Sequence, residues 1–293
     1  MIVMRMLGGL GNQMFQYAFG RALASHHGVP LCLDVSAYDA HQMHNGFELS
    51  RVFCIDARIL DQRGLQDVYG WMARPNIWRW VRWIGPRLFP FARFLSQDTT
   101  RPVLPYKALC PARCYLEGYW QCEDLFADYD AEIRREFVFR EDLSVENLNW
   151  AQKIQSVESV SMHVRRGDYA SNAKTLATHG LCSSDYYKSA LKLLTEKLGS
   201  PVVFVFSDDP EWVRANIDIP FEHYFVTNNH GSNSYCDMRL MSLCKSHIIA
   251  NSSFSWWGAW LSNNQPELVI APRRWFVDES LAQEIVPDHW VKA

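Results

Sequence analysis

Between Val160 and Ala271, short apolar runs alternate with stretches of helical periodicity, and this alternation restricts the fold more than any other feature of the chain. Val160–Arg165, Val202–Ser207, His223–Val226, His247–Ala250 and Leu268–Ala271 read as strands. Ser184–Leu198, a short stretch after Pro210, Ser234–Lys245 and Phe254–Ser262 read as the intervening helices. A strand that returns through a helix lies parallel to its predecessor. The pattern therefore predicts a parallel sheet with right-handed crossovers, in a Rossmann-like α/β lobe.

The N-terminus opens on a similar unit. Met1–Leu7 reads as a buried strand, Gly8-Gly9-Leu10-Gly11 as a tight turn and Asn12–His26 as a helix, with Val29–Asp34 as the next strand. From there to about Asp67 the chain is polar and irregular. A chain of 293 residues, 48% hydrophobic and 21% charged, suits two lobes of roughly 100–150 residues each. The expected division is 1–155 and 156–293, where the second sheet begins. Gly9-Leu10-Gly11 followed by Asp34 imitates a dinucleotide fingerprint, but Met14 fills the third glycine position. An NAD-dependent oxidoreductase would rest on that turn alone. Gly11, Asn12 and Gln13 instead present two side-chain amides at a helix start, suited to sugar hydroxyls or phosphate oxygens, or else form a purely structural turn.

Residues 74–94 differ from the rest of the chain. The run from Arg74 to Arg93 has five arginines, no acidic residue, and Trp78, Trp80 and Trp83 interleaved. That composition suits either a helical hairpin on the N-terminal lobe or peripheral contact with a membrane interface. Met1–Leu7 holds Arg5 and leads into glycines without a cleavage pattern, and no run of 18 or more apolar residues follows. The expected location is cytoplasmic, with the inner membrane face as its outer limit. A net charge of -3 argues against nucleic acid as a partner. The eight cysteines lack paired spacing, so they read as reduced and inert rather than as a zinc cluster of Cys110, Cys114 and Cys122.

Open parallel sheets bind ligands beyond the carboxyl ends of their strands. The first strand of the C-terminal lobe ends in His163, Arg165, Arg166 and Asp168, and the second in Asp208 and Asp209. The fourth runs into Ser252, Ser253 and Phe254, where hydroxyls and the free N–H groups of a helix start suit an anion. Arginine beside a helix N-terminus meets the charge that grows on a departing diphosphate. The cluster therefore reads as a nucleotide-diphosphate site, against the alternative of an internal salt bridge. Guanine offers adjacent N–H donors to a single carboxylate, for which Asp208 and Asp237 are candidates. Helix capping is the competing role for each. No D-x-D metal motif accompanies the site, so no metal and no other cofactor is expected.

Five segments together resemble the bacterial α-1,2-fucosyltransferases: GGLGNQMFQYAFGRAL (8–23), GYWQCEDLF (118–126), HVRRGDY (163–169), FSDD (206–209) and IIANSSFSWWGAWLS (248–262). The resemblance implies a GT-B arrangement of two facing Rossmann-like lobes, with GDP-fucose held mainly by the C-terminal one. It also implies inversion, so that β-linked GDP-fucose gives an α-linked product on the 2-hydroxyl of a terminal galactose. By the same similarity Arg165 falls on the diphosphate, His163 on the nucleotide, Asp237 on guanine, Asp208 near the nucleoside, and Ser252 and Ser253 near the β-phosphate. Arg166 and Phe254 complete the expected donor pocket, with Gly11 and Gln13 on the acceptor side. Arg165, Asp168 and Asn12 are expected nearest the reaction. Tyr169 to Lys174 hold no carboxylate, unlike some relatives, so Asp168 is either a base or the group that orients an arginine. The acceptor, free or lipid-linked, depends on loops without a readable code, to which Tyr119 and Trp120 are candidate contributors. Another GDP-sugar, another fucose linkage and a non-catalytic sugar-nucleotide binder remain the competing readings.

Overall fold

The computed structural model describes residues 1–40, 45–69, 93–97, 110–167, 180–262, 266–277 and 285–293. Trp78, Trp80, Trp83 and Asp168 lie outside the described residues. The chain divides into two compact units between Arg140 and Glu141, with Ile285 grouped with the first.

The N-terminal unit is built on a parallel sheet of order β3-β2-β1-β5-β4. Its strands are β1 (Ile2–Arg5), β2 (Leu31–Asp34), β3 (Arg58–Leu60), β4 (Arg93–Ser96) and β5 (Cys114–Glu117). Ile2, Val3 and Met4 are fully buried, as befits a central strand covered on both faces. Helix α1 (Leu10–His27) follows and stops at Gly28, whose φ of 61° closes the last turn. Leu31–Asp34 forms as the sequence predicts. The sequence reading missed β3 and helix α2 (Gln62–Tyr69), because β3 is a three-residue edge strand whose Arg58 and Ile59 face solvent. So short a segment carries no period.

Helix α1 is apolar nearly all round, yet it also buries Gln13, Gln16 and Arg21. Each of these polar groups has partners, as burial demands. Gln16 accepts the Leu7 N–H at 2.9 Å and donates to the Gly118 carbonyl at 3.1 Å, tying the chain after β1 to the chain after β5. Arg21 and Tyr17 converge on Glu136 of α3 (Asp130–Glu136).

The C-terminal unit starts one helix earlier than the sequence reading puts it. Helix α4 (Val145–Gln155) is capped by Ser144, which accepts the Asn147 N–H at 3.3 Å. Its Ala151 and Ile154 pack with Phe204, Phe206, Val226 and Met241, and that buried contact assigns the helix to the second core. The sheet is again parallel, in the order β11-β10-β9-β6-β7-β8. Its strands are β6 (Ser159–Val164), β7 (Val202–Ser207), β8 (His223–Val226), β9 (Ser246–Ile248), β10 (Leu268–Ala271) and β11 (Val291–Lys292). The helices are α5 (Ser184–Leu198), α6 (Pro210–Asn216), α7 (Tyr235–Met241) and α8 (Ser253–Trp260). Helix α7 ends before the expected Lys245, because Leu243 and Cys244 donate to Leu240 and Met241 and tighten the chain into a turn. Among the described residues no helix is long and apolar enough to cross a membrane.

Strand β6 is buried along its whole length and sorts its side chains by period two. Val160, Met162 and Val164 join Tyr187, Leu191 and Leu194 of α5 on one face. Ser161 and His163 therefore point to the other face, where Ser161 lies beside His247 of β9. The Ser161 hydroxyl reaches His247 Nδ1 at 2.7 Å, and His247 Nε2 meets Ser262 Oγ at 3.3 Å. Ser262 in turn donates to the carbonyls of Ser242 and Cys244. A serine that donates to carbonyls accepts from Nε2–H, so the network places a proton on Nε2.

Burial pushes His247 down to about 3. Unfolding must therefore take up a proton below about pH 6.5, and the stability held above that value is lost as pH falls toward 3. Urea unfolding at pH 7.5, 6 and 5 should show a decline of up to about 1.4 kcal/mol per pH unit from this group. His247→Gln should flatten that part of the slope, and an unchanged slope would remove His247 as its cause.

Candidate functional site

The carboxyl ends of β6 and β7 are joined by one carboxylate. Asp208, just past β7, has Oδ2 2.9 Å from the Arg165 guanidinium, and its Oδ1 accepts the Arg166 backbone N–H at 2.8 Å. Both oxygens thus hold the chain that follows β6. Gly167 makes room for this, because a Cβ there would come within 2.6 Å of Asp208 Oδ2. Arg166 turns elsewhere: its guanidinium lies 3.9 Å over the Trp212 ring and its Nε is 3.4 Å from Asp209. Asp209 also accepts the Trp212 N–H at 3.1 Å and so caps α6. Of the two expected donor-site arginines, Arg165 is the one fixed on Asp208, with about 30% of its side chain exposed. Asp208 is one group that orients Arg165; Asp168, a sequence candidate for the same role, lies outside the described residues.

His163 lies at the end of β6, nearly buried, with its ring 5.9 Å from that of Phe254 in α8. Burial pushes its pKa down to about 4, with Asp208 pulling it up and Arg165 lowering it further. It is a neutral imidazole at physiological pH. Its Nδ1 is buried without a partner among the described residues. Ser252 accepts the Phe254 N–H at 3.3 Å and caps α8. Ser253, half-buried at the first helical position, has a hydroxyl without a partner among the described residues. The ends of β6 and β7 thus bring together Arg165 and Asp208, and the end of β6 meets α8 through His163 and Phe254, with Ser252 and Ser253 opening that helix.

Asp237 lies in the first turn of α7 and accepts the Asn229 side-chain N–H at 2.7 Å. Burial raises its carboxyl to about 7, and the Asn229 bond pulls it back down. Neither Asn229, in a polar loop, nor its partner Asn147, in the first turn of α4, carries a signal in the sequence. The pair Arg273-Arg274, which follows β10 after Pro272, is a strand-end group outside the sequence candidates. With Cys182, Tyr186, Asn251 and Phe276 they line a cavity of about 370 Å3.

The N-terminal candidates divide. Gln13 is fully buried and uses its whole amide on its own unit: Nε2 donates to the carbonyls of Gly8 and Gly46, and Oε1 accepts the N–H groups of Glu48 and Leu49. Nothing of it is left for a ligand, which corrects the substrate-contact expectation. Gly11 is buried in the first turn of α1. Asn12 accepts from Gln121 at 2.7 Å, and its NH2 has no partner among the described residues. Asp34 is fully buried and accepts from the Ser36 N–H and the Tyr115 hydroxyl, so it is not poised for a ribose. Trp120 is buried against Phe19, whereas Tyr119 is 43% exposed.

Comparison with known proteins gives a consistent picture. Glycosyl transferase family 11 matches residues 102–293. An α-1,2-colitosyltransferase of Escherichia coli is 35% identical, covering 99% of this chain and 98% of its own. The galactoside 2-α-L-fucosyltransferase SEC1 of Bos taurus is 26% identical over 87% of this chain and 62% of its own. Among solved structures, the NodZ α-1,6-fucosyltransferase soaked with GDP-fucose covers 91% of this chain and 96% of its own, with TM-score 0.53 and 15% identity. That likeness is one of fold, and the fold is GT-B-like.

Two outcomes test the geometry. The Asp237 carboxyl rises from 3.8 to about 7 on folding, so its contribution to stability is full below pH 3.8 and is lost as pH rises through 7. Asp237→Asn should therefore be more stable than the wild type at pH 8, by on the order of a few kcal/mol, and equal near pH 4 in urea unfolding. Gly167→Ala should cost about 1–3 kcal/mol through the clash with Asp208. A neutral result in the same assay would mean that Asp208 is free to move.

Proposed function

The chain belongs to glycosyl transferase family 11, and from that premise we propose that it transfers L-fucose from GDP-β-L-fucose to the 2-hydroxyl of a terminal β-galactose, with inversion and without a metal ion. The observation that carries the reading is the Arg165–Asp208 pair at the carboxyl end of β6, one strand away from the segment that starts α8. A partly exposed guanidinium, held by a carboxylate at the end of β6 and next in the sheet to the strand that leads into α8, suits a diphosphate. As the glycosidic bond to fucose breaks, negative charge grows on the β-phosphate. Arg165, Ser253 and the first N–H groups of α8 stabilise that charge in place of a divalent cation.

The acceptor hydroxyl attacks the opposite face of the sugar, which converts the β-linked donor into an α-linked product. Bond breaking that runs ahead of attack leaves an oxocarbenium-like centre, which demands little proton abstraction beforehand. Asp168 has two roles open to it in this reading, accepting the proton of the attacking hydroxyl or orienting an arginine. The Asn12 amide N–H, without a partner among the described residues, is of a kind that suits a sugar hydroxyl. The GDP-fucose in the NodZ crystals supports the donor, and the name of the bovine relative supports the acceptor and linkage.

A second reading is favoured by the 35% identity to an α-1,2-colitosyltransferase. Colitose is fucose without its 3-hydroxyl. A pocket built to hydrogen-bond that hydroxyl would discriminate strongly against the deoxy sugar, whereas an apolar pocket would not reject the hydroxyl strongly. Turnover of the two GDP-sugars side by side decides between them.

Release of GDP from GDP-fucose should depend on acceptor when lactose, N-acetyllactosamine or galactose-β1,3-N-acetylgalactosamine is supplied, and should persist in EDTA. Arg165→Ala should lower kcat by about 10²–10³. Binding of GDP-fucose without acceptor-dependent release would favour a non-catalytic role. Loss of activity in EDTA with full rescue by magnesium or manganese would overturn the metal-free reading.

A further inference from the structure

Three side-chain amides that the proposed reaction does not use converge behind Asp237. Asn147 comes from α4, Asn228 and Asn229 from the segment after β8, and Asp237 from α7. Asn147 and Asn229 are nearly buried, at 3% and 8% exposure. They form a closed pair: Asn147 Nδ2 donates to Asn229 Oδ1 at 2.8 Å, and Asn229 Nδ2 donates back to Asn147 Oδ1 at 3.0 Å. The second hydrogen of Asn229 Nδ2 goes to Asp237 Oδ1 at 2.7 Å. Asn228 closes the frame by donating to Asn147 Oδ1 at 2.9 Å and to Asn229 Oδ1 at 3.3 Å.

Every hydrogen-bonding position of the Asn229 amide is therefore occupied, and this fixes which way round it sits. A flipped Asn229 would set its carbonyl oxygen against the carboxylate, two acceptors face to face. It would also break both bonds of the pair with Asn147. The pair thus dictates that a donor, not an acceptor, meets Asp237 Oδ1. A donor at that oxygen favours the ionised carboxylate and holds one rotamer. Asp237 Oδ2 has no partner among the described residues.

We infer that Asn147 and Asn229 are positioning residues for purine selection: the amide pair places a donor on Asp237 Oδ1 and holds the carboxylate in one rotamer, oriented for the N1–H and N2–H donors of guanine. The inference rests on the reading of Asp237 as the guanine contact. Hypoxanthine keeps N1–H and lacks the 2-amino group, and adenine has an acceptor at N1. A locked acceptor should therefore rank GDP above IDP and IDP above ADP. Ribose and diphosphate are common to all three, so their ratio isolates the base.

The test is competition by GDP, IDP and ADP against GDP-fucose on the full chain, for wild type, Asp237→Asn, Asn229→Ala and Asn147→Ala, with circular dichroism as the check on folding. The wild type should prefer GDP over IDP by about tenfold or more, the size of one hydrogen bond to a charged group. Asp237→Asn should abolish that preference, and both asparagine variants should reduce it several-fold. If Asp237→Asn loses the preference while both asparagine variants keep it and weaken GDP and IDP equally, the amide pair is merely structural and the inference falls. If Asp237→Asn keeps the preference, the reading of Asp237 falls first and takes the inference with it. Asn229→Gln retains the donor but displaces it by one methylene. It replaces the alanine variants if they do not fold, and it should also lower the ratio.

Discussion

In a sheet whose strands all run parallel, every strand ends at the same edge, and whatever follows each strand is delivered to that edge. The C-terminal unit is governed by this constraint. It brings Arg165 from the end of β6, Asp208 from the end of β7 and Ser253 from beyond β9 to one rim, although they are far apart in the chain. A single carboxylate then joins two of those ends. Asp208 engages the Arg165 guanidinium with one oxygen and the Arg166 N–H with the other, over a glycine that leaves it room. Among the described residues at these two strand ends, Arg165 and Arg166 are matched by Asp208 and Asp209.

The same rim carries titratable groups held away from their ordinary behaviour by burial. His163 is kept neutral and Asp237 is shifted toward neutrality, both chiefly through desolvation. Each shift is a cost to the folded state at some pH, and such costs collect where binding groups must be dry and fixed. The asparagine pair behind Asp237 acts against one of them, by donating to the charged form. His247 is equally buried but belongs to a closed chain of serine contacts, so the same physics serves packing there.

The N-terminal unit spends its polar groups on itself. Gln13 and Gln16 in α1, and Asp34 at the end of β2, look in sequence like surface or ligand groups, yet each is fully buried and bonded within the unit. They hold the glycine turn and the chain after β5 against the helix. Asn12, one position from Gln13 and therefore on a different side of the helix, keeps an amide N–H unspent.

Much of the fold was legible because it is periodic. The parallel C-terminal sheet, helix α5 over Ser184–Leu198, and strands β7, β8 and β10 follow directly from runs of apolar residues and their spacing. Residue type alone also marked Arg165, His163 and Ser253 as strand-end groups. What the sequence could not supply were relations between distant residues that no period links. These include the assignment of α4 to the second core, the use of all of Gln13 inside its own unit, the choice of Asp208 as the partner of Arg165, and the amide pair of Asn147 with Asn229. Local pattern determines which element forms, because propensity and burial act within a few residues. Hydrogen-bond partners are decided only when packing brings a donor and an acceptor together, because their energy depends on ångström-scale geometry that the chain does not encode locally.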